Sequence, residues 1–263
     1  MTELDLPAVE RLLHTREIGR RITYLATTAS TMDVARDEAV AAAPHGAVVF
    51  AEEQTAGRGR FGRRWVSPAG KNLYLTLILR PDVGRLRALS MVVPLAVCRA
   101  VEAVTPLRPV IKWPNDVLVG GRKLAGVLIE GESSGAELLY ALAGIGLNVN
   151  DPVDDPEIAG IATSLSRELG EETPRETVLA ALLNELEDAY SAPPGDLYSA
   201  WRSRIATLGQ PVRLTFRDEV YEGTAEDVDD EGSLILRLTD GTSRPSRPAR
   251  SPSAVSRRSE ACR

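Results

Sequence analysis

The chain has 263 residues, 43% of them hydrophobic and 26% charged, with a formal net charge of −6. That balance excludes a surface basic enough to bind nucleic acid everywhere, so any anion-binding function has to be local. Cys98 and Cys262 lie too far apart in the chain to suggest a disulfide framework or a zinc site, and a reducing cytoplasm is the natural compartment; no apolar run approaches the roughly 18 residues of a membrane span.

The length suits one large domain, or a large one plus a small one. The opening MTELDLPAVERLLHTREIGRR carries early acids and does not read as a secretory signal. Pro7 to His14 reads as a short helix with Val9, Leu12 and Leu13 on one side. Ser30-Thr31-Met32-Asp33 reads as a helix start, a hydroxyl followed three residues on by an acid that caps back, and the helix runs to Ala43. Gly46 to Ala51 is a buried strand. Leu73, Leu75, Leu77 and Leu79 alternate with Tyr74, Thr76 and Ile78, the period of a strand with one core face. Leu86 to Val104 is helical, with Pro94 in its first turn or at a kink.

Val110 to Lys112, Val117 to Val119, Gly126 to Gly131 and Glu137 to Leu147 read as strands, with Gly120-Gly121 as a hairpin turn. Thr173-Pro174-Arg175-Glu176 has the composition of a capped helix start, ahead of an apolar face at Leu179, Leu182, Leu183, Leu186 and Tyr190. Leu197, Trp201, Ile205 and Leu208 form a second helical face that Gly209 is expected to end. From Gln210 short strands separated by Asp, Glu and Gly turns suggest a small all-β module. The last stretch, rich in Ser, Arg and Pro, is expected to be disordered.

Between two strands lies E-Q-T-A-G-R-G-R-F-G-R-R-W, residues 53–65. Its glycines let the backbone approach a ligand closely. In an extended segment Arg58 and Arg60 project to one side, where two guanidiniums suit a phosphate or a carboxylate. Without that anion they would repel one another, so an empty loop should be mobile. The plainer alternative is a solvated, RNA-touching Gly-Arg segment. Phe61 and Trp65 could stack on a base, although Trp65 also suits a core anchor. A second cluster, I-K-W-P-N-D-V-L-V-G-G-R-K-L-A-G, puts Lys112, Asn115 and Asp116 at a strand mouth and Lys123 beside buried surface, where a lysine acts as a compact point charge. A structural Asn-Asp turn and a solvated lysine are the alternative there. The third piece, G-I-G-L-N-V-N (144–150), is by itself only a turn signal.

In this order, S-T-M (30–32), the Gly-Arg run to Trp65, N-L-Y-L, K-W-P-N-D (112–116), G-R-K-L-A-G (121–126) and G-I-G-L-N-V-N resemble the biotin–protein ligases, closely over about residues 22 to 150 and loosely to about 239. The resemblance implies an α+β fold: a mixed β-sheet with flanking helices, as in class II aminoacyl-tRNA synthetases and biotin ligases, plus a small C-terminal SH3-like β module. It implies a catalytic domain over 1–209 and the module over 210–241, from which this chain departs: relatives close the module with another strand after the Asp-Gly turn, whereas Asp240-Gly241 is followed by Ser, Arg and Pro, so an incomplete module and, from composition, a disordered tail over 242–263 are expected. It also implies an ATP-dependent ligase that makes biotinyl-5′-adenylate with Mg2+ and passes biotin to a lysine of a biotin carboxyl carrier protein. A homodimer is compatible with it.

By the same resemblance Lys123, Arg58, Arg60 and Asp116 are catalytic, Asp116 orienting or deprotonating the incoming lysine. Ser30, Thr31, Met32, Gln54, Gly57 and Gly59 join Arg58, Arg60 and Lys123 around biotin. Trp65, Lys112, Asn115 and Asn148 join the same three cations around ATP; no metal ligands are assigned. Met32 stands where many relatives carry Asn. About 20 residues precede the first strand, so no DNA-binding winged helix, and no repressor role, is expected. Lipoate ligases and octanoyl transferases share the broad superfamily but lack a loop written G-R-G-R.

Overall fold

The computed structural model describes residues 3–135, 137–216, 219–238 and 240–246. Helix α1 (Leu6–Leu12) leads into β1 (Ile22–Thr28), α2 (Thr31–Val40) and β2 (Val48–Gln54), and the Gly-Arg loop then leads to β3 (Leu73–Leu79). Helix α3 (Val83–Val104) is followed by β4 (Val110–Lys112), β5 (Asp116–Val119), β6 (Arg122–Ser134) and β7 (Glu137–Leu147). These seven strands form one sheet in the order β1-β2-β3-β7-β6-β5-β4. Only β1 and β2 pair in parallel, so the sheet is mixed.

Helices α4 (Leu165–Leu169), α5 (Arg175–Ser191) and α6 (Pro194–Arg202) precede β8 (Pro211–Phe216), β9 (Glu219–Val228), β10 (Leu234–Leu238) and β11 (Ser243–Ser246). The last four strands make a separate antiparallel sheet in the order β11-β10-β9-β8. Among the described residues no helix is long and apolar enough to cross a membrane.

The large sheet is covered on both faces. Leu73, Leu75, Leu77 and Leu79 pack with α3 and α5 residues such as Leu95 and Leu182. On the other face Ile78 and Leu142 pack with Met32, Ala35 and Ala39 of α2. Every residue of β3 is therefore buried, where one core face was expected from the alternation. The alternation is real but sorts two interiors rather than an interior from water. The hairpin at Gly120-Gly121 forms as expected, with φ of 56° and 78°, the left-handed pair that a two-residue turn demands.

Four further expectations need correction. The sheet at the C-terminus does not stop at the Asp240-Gly241 turn: β11 pairs Ser243 to Ser246 with Arg237 to Leu234 of β10. Backbone pairing does not require apolar side chains, and the β11 residues are exposed or half-buried; residues 247–263 of the expected tail lie outside the described residues. Helix α6 ends at Arg202, not at Gly209, because Ile205 leaves it to bridge Ile111 in parallel at the sheet edge. Pro94 lies well inside α3, whose N-cap is Asp82. At α5 the N-cap residue is Pro174, without a side-chain cap, and Glu176 instead accepts from the Asp5 N–H at 3.0 Å.

Candidate active site

Ser30 caps α2 with its Oγ, which accepts from Met32 N–H at 3.3 Å. That places Ser30, Thr31 and Met32 over the sheet where β2 ends in Gln54. Gln54 Oε1 accepts from the Thr31 N–H (2.9 Å) and hydroxyl (3.1 Å), while its Nε2 donates to Ser67 Oγ at 3.1 Å. Thr76 in turn donates to the Thr31 hydroxyl at 2.8 Å. Ser30, Thr31, Ser67 and Thr76 are buried, Gln54 is half-buried, and all are mutually oriented, so they offer a fixed hydrogen-bonding surface rather than a flexible one.

The Gly-Arg loop closes on itself as a small hairpin. Trp65 N–H donates to Gly57 O at 2.9 Å, Gly59 N–H donates to Arg63 O at 2.7 Å, and Arg58 bridges Arg64. A Cβ on Gly57 would lie 2.6 Å from Trp65 O, so only glycine permits this closure. Phe61 at the tip has φ 58° and ψ 32°, a left-handed conformation costly for an aromatic residue. Its ring is exposed and lies 5.0 Å beneath the Arg60 guanidinium.

The two arginines have separate partners. Arg58 reaches Asp33 with both nitrogens, at 2.8 and 2.5 Å. This hydrogen bonding holds the Asp33 carboxyl below its ordinary range and raises the guanidinium. Asp33 also meets Arg36 at 3.1 Å, and Arg36 meets Glu130 at 2.5 Å. Arg60 donates to Asn115 Oδ1 at 3.0 Å, and burial lowers its pKa. The expectation of mutual repulsion in an empty loop is thus corrected: an acid on α2 neutralises one arginine before any ligand arrives. Asp33 does not turn back to cap the helix.

Lys123 is held the same way, with Nζ 2.8 Å from Asp116 Oδ1 and 5.1 Å from the centre of the Trp65 ring. Trp65 lies against paired glycines of the central strands. A Cβ on Gly146 would sit 2.4 Å from its indole and one on Gly126 2.9 Å. Its Nε1 is buried without a hydrogen-bond partner.

A single cavity gathers Ser30, Thr31, Met32, Gln54, Arg58, Gly59, Arg60, Trp65, Asn115 and Lys123 from the expected set. Gly57 serves it through the hairpin, and Asp116 through Lys123. Two expected residues stand apart. Lys112 is exposed on β4, and Asn148 is buried with its Nδ2 donating to Thr163 O at 2.9 Å. Sequence reasoning missed Asp33 as a site residue, because its position in a capping pattern hid its pairing with Arg58. It also left Gly126, Gly144 and Gly146 out of the site; glycines inside strands signal a close approach. Among the described residues no group of three or more His, Cys, Asp or Glu side chains is arranged to hold a metal.

Residues 24–148 match the model of the biotin/lipoate A/B protein ligase family, and residues 207–249 match that of the biotin protein ligase C-terminal domain. The chain is 37% identical over 259 residues to the biotin–[acetyl-CoA-carboxylase] ligase of Mycobacterium tuberculosis, covering 90% of this chain and 93% of that one. The chain belongs to the biotin protein ligase family. It is also 35% identical to the bifunctional ligase/repressor BirA of Bacillus spizizenii, over 87% of this chain and 73% of that one. Among solved structures, the biotin protein ligase from Aquifex aeolicus in complex with biotin and ATP superposes with a TM-score of 0.71 at 26% identity, covering 86% of this ligase and 95% of that chain. The second sheet of the ligase, β8 to β11, lies within the matched C-terminal domain.

Proposed function

We propose that this ligase condenses biotin with ATP and passes the biotinyl group to a lysine on the biotin carboxyl carrier protein of acetyl-CoA carboxylase or a related carboxylase, in the cytoplasm. The observation that carries the residue roles is the composition of the cavity lining, divided between uncharged donors and acceptors, Ser30, Thr31 and Gln54, and three cations, Arg58, Arg60 and Lys123. A ligand with a neutral polar head and a reacting anionic tail fits that division.

Thr31, Gln54 and Ser30 take the ring of biotin, with Met32 against its apolar part. Lys123 brings the biotin carboxylate to the α-phosphate; Arg60 and Arg58 hold the phosphate oxygens, and Asn115 steadies Arg60. Mg2+ enters with the triphosphate as part of the substrate. A carboxylate oxygen attacks the α-phosphorus, the bond to the β-phosphoryl oxygen breaks, and pyrophosphate leaves with its electron pair. The cations act by standing where negative charge gathers. Trp65 covers the product from water; Lys112 and Asn148, outside the cavity lining, keep no direct ligand role in this scheme.

In the ligand-free protein Asp33 and Asp116 occupy the places that ligand anions take. When the adenylate draws Lys123 to itself, Asp116 is released as a base. The carrier lysine then loses its proton to Asp116 and its amine attacks the acyl carbon. The bond to the phosphate oxygen breaks and AMP leaves. The test is incubation with biotin, Mg·ATP and a carrier domain, followed by mass measurement. A gain of one biotinyl group on the carrier lysine is expected. No gain on the carrier, or equal labelling with lipoate in place of biotin, contradicts the reading.

A further inference from the structure

The small sheet meets the large one at the K-W-P-N-D turn. The β9–β10 turn is self-supporting: Asp229 Oδ1 accepts from the N–H groups of Glu231 (3.0 Å) and Ser233 (2.7 Å). Gly232 has φ 82°, and a Cβ there would lie 3.1 Å from Ser90 Oγ on α3. Beside it Glu231 is ion-paired with Arg87 of the same helix. The turn is thus seated on α3, and the Gly232 carbonyl accepts from Trp113 Nε1 at 3.0 Å. The Trp113 backbone N–H donates to Thr207 Oγ1 at 2.9 Å. Trp113 packs against the main core and is not part of the cavity lining.

The residues that follow it serve the site. Asn115 Nδ2 donates to Val127 O at 2.7 Å, and Val127 N–H donates to Asn115 O at 3.1 Å, which leaves Asn115 Oδ1 facing Arg60. Asp116 faces Lys123.

We infer that Trp113 is a positioning residue: its indole N–H, held by the Gly232 carbonyl, fixes the turn that presents Asn115 to Arg60 and Asp116 to Lys123. The small β module therefore sets the phosphate end of the cavity without entering it. Ser30, Thr31 and Gln54 are held by hydrogen bonds to one another, to the Met32 N–H, to Ser67 and to Thr76 rather than through Trp113, so the effect is selective. The inference rests on the assignment of the cationic end to phosphate made above.

Pyrophosphate release by the full chain, with biotin and Mg·ATP varied separately, tests it. Trp113→Phe keeps an aromatic ring and removes the donor. It should raise the KM for ATP about five- to tenfold, the scale of one lost hydrogen bond, and leave the KM for biotin within about twofold. Asp229→Ala unravels the turn without touching Trp113 and should give the same split; it decides the matter alone if Trp113→Phe does not fold. Variants in which kcat falls while both KM values stay put have merely lost folded protein, and that result, or kinetics equal to the parent's, overturns the inference. A parent that releases no pyrophosphate sinks the functional reading itself; a working parent with unsplit variants sinks only the role of Trp113.

Discussion

Asp33 grips Arg58 through both carboxylate oxygens, 2.8 and 2.5 Å from the two guanidinium nitrogens, and so ties the Gly-Arg loop to the first turn of α2. A two-point pair of this kind is directional as well as attractive. Both side chains remain partly exposed, so solvent screens the pair and a stronger anion can displace it. Asp33 is thus the loop's resting partner, and in the proposed function Arg58 takes the phosphate as its working one.

Asp33→Asn should release Arg58 from its resting partner. The KM for ATP is expected to fall about two- to fivefold, in line with the modest worth of exposed pairs, while the ligand-free loop becomes easier for trypsin to cut at 58–64. Steady-state kinetics and limited proteolysis check this. Unchanged cleavage together with a raised KM would mean that Asp33 serves the bound state instead.

Gly146→Ala puts a methyl group where the Trp65 indole already lies, 2.4 Å from the nearest ring atom. The strand cannot yield easily, because Gly146 pairs with Gly126 on one side and Tyr74 on the other. Overpacking of this kind costs about 1–3 kcal/mol. A lower melting temperature and weaker adenylate retention are expected, both partly restored by Trp65→Leu in the same chain. Parental retention in Gly146→Ala would show that Trp65 does not rest there.

A buried acid should govern the acid limb of stability. Glu52 accepts from Arg175 at 2.5 and 3.1 Å, from Leu4 N–H at 2.8 Å and from Tyr24 OH at 2.9 Å. Burial alone would raise its carboxyl, but the Arg175 and Leu4 hydrogen bonds outweigh that and hold it below the ordinary 4.5. Burial, with Glu52 beside it, pushes the Tyr24 hydroxyl up to about 12. Since the folded pKa of Glu52 is depressed, its stabilisation is complete above the unfolded value and lost as pH falls through the folded one. Glu52→Gln should lower the melting temperature at pH 7, because Arg175 is left buried without its carboxylate, at a cost of about 3–5 kcal/mol. It should also flatten the dependence of melting temperature on pH between pH 5 and 3. Parallel curves for parent and variant would assign the acid limb elsewhere.

Much of the site was legible because its chemistry is local in the chain. The Gly-Arg run, the W-P-N-D turn and Lys123 each sit in a short segment, and the family resemblance carried by those segments implied a mixed sheet beneath them. What escaped was long-range pairing. Nothing near Asp33 in the sequence announces Arg58, 25 residues on, and a capping pattern accounted for the acid without it. The β11 strand was missed for a similar reason: its pairing runs through the backbone, while its Ser, Arg and Pro side chains suggest a disordered tail. Gly126 and Gly146 lie in different strands, and only their pairing reveals the flat bed on which Trp65 rests.

The central claim is that Lys123, with Arg60 beside it, stabilises charge as biotin carboxylate meets the α-phosphate. Single-turnover formation of biotinyl-adenylate, without any carrier, measures this most directly. The parent should convert ATP to one retained adenylate per protein with matching pyrophosphate release, and Lys123→Ala, folded by circular dichroism, should form it at least about a hundredfold more slowly. Equal rates in the two proteins would contradict the account.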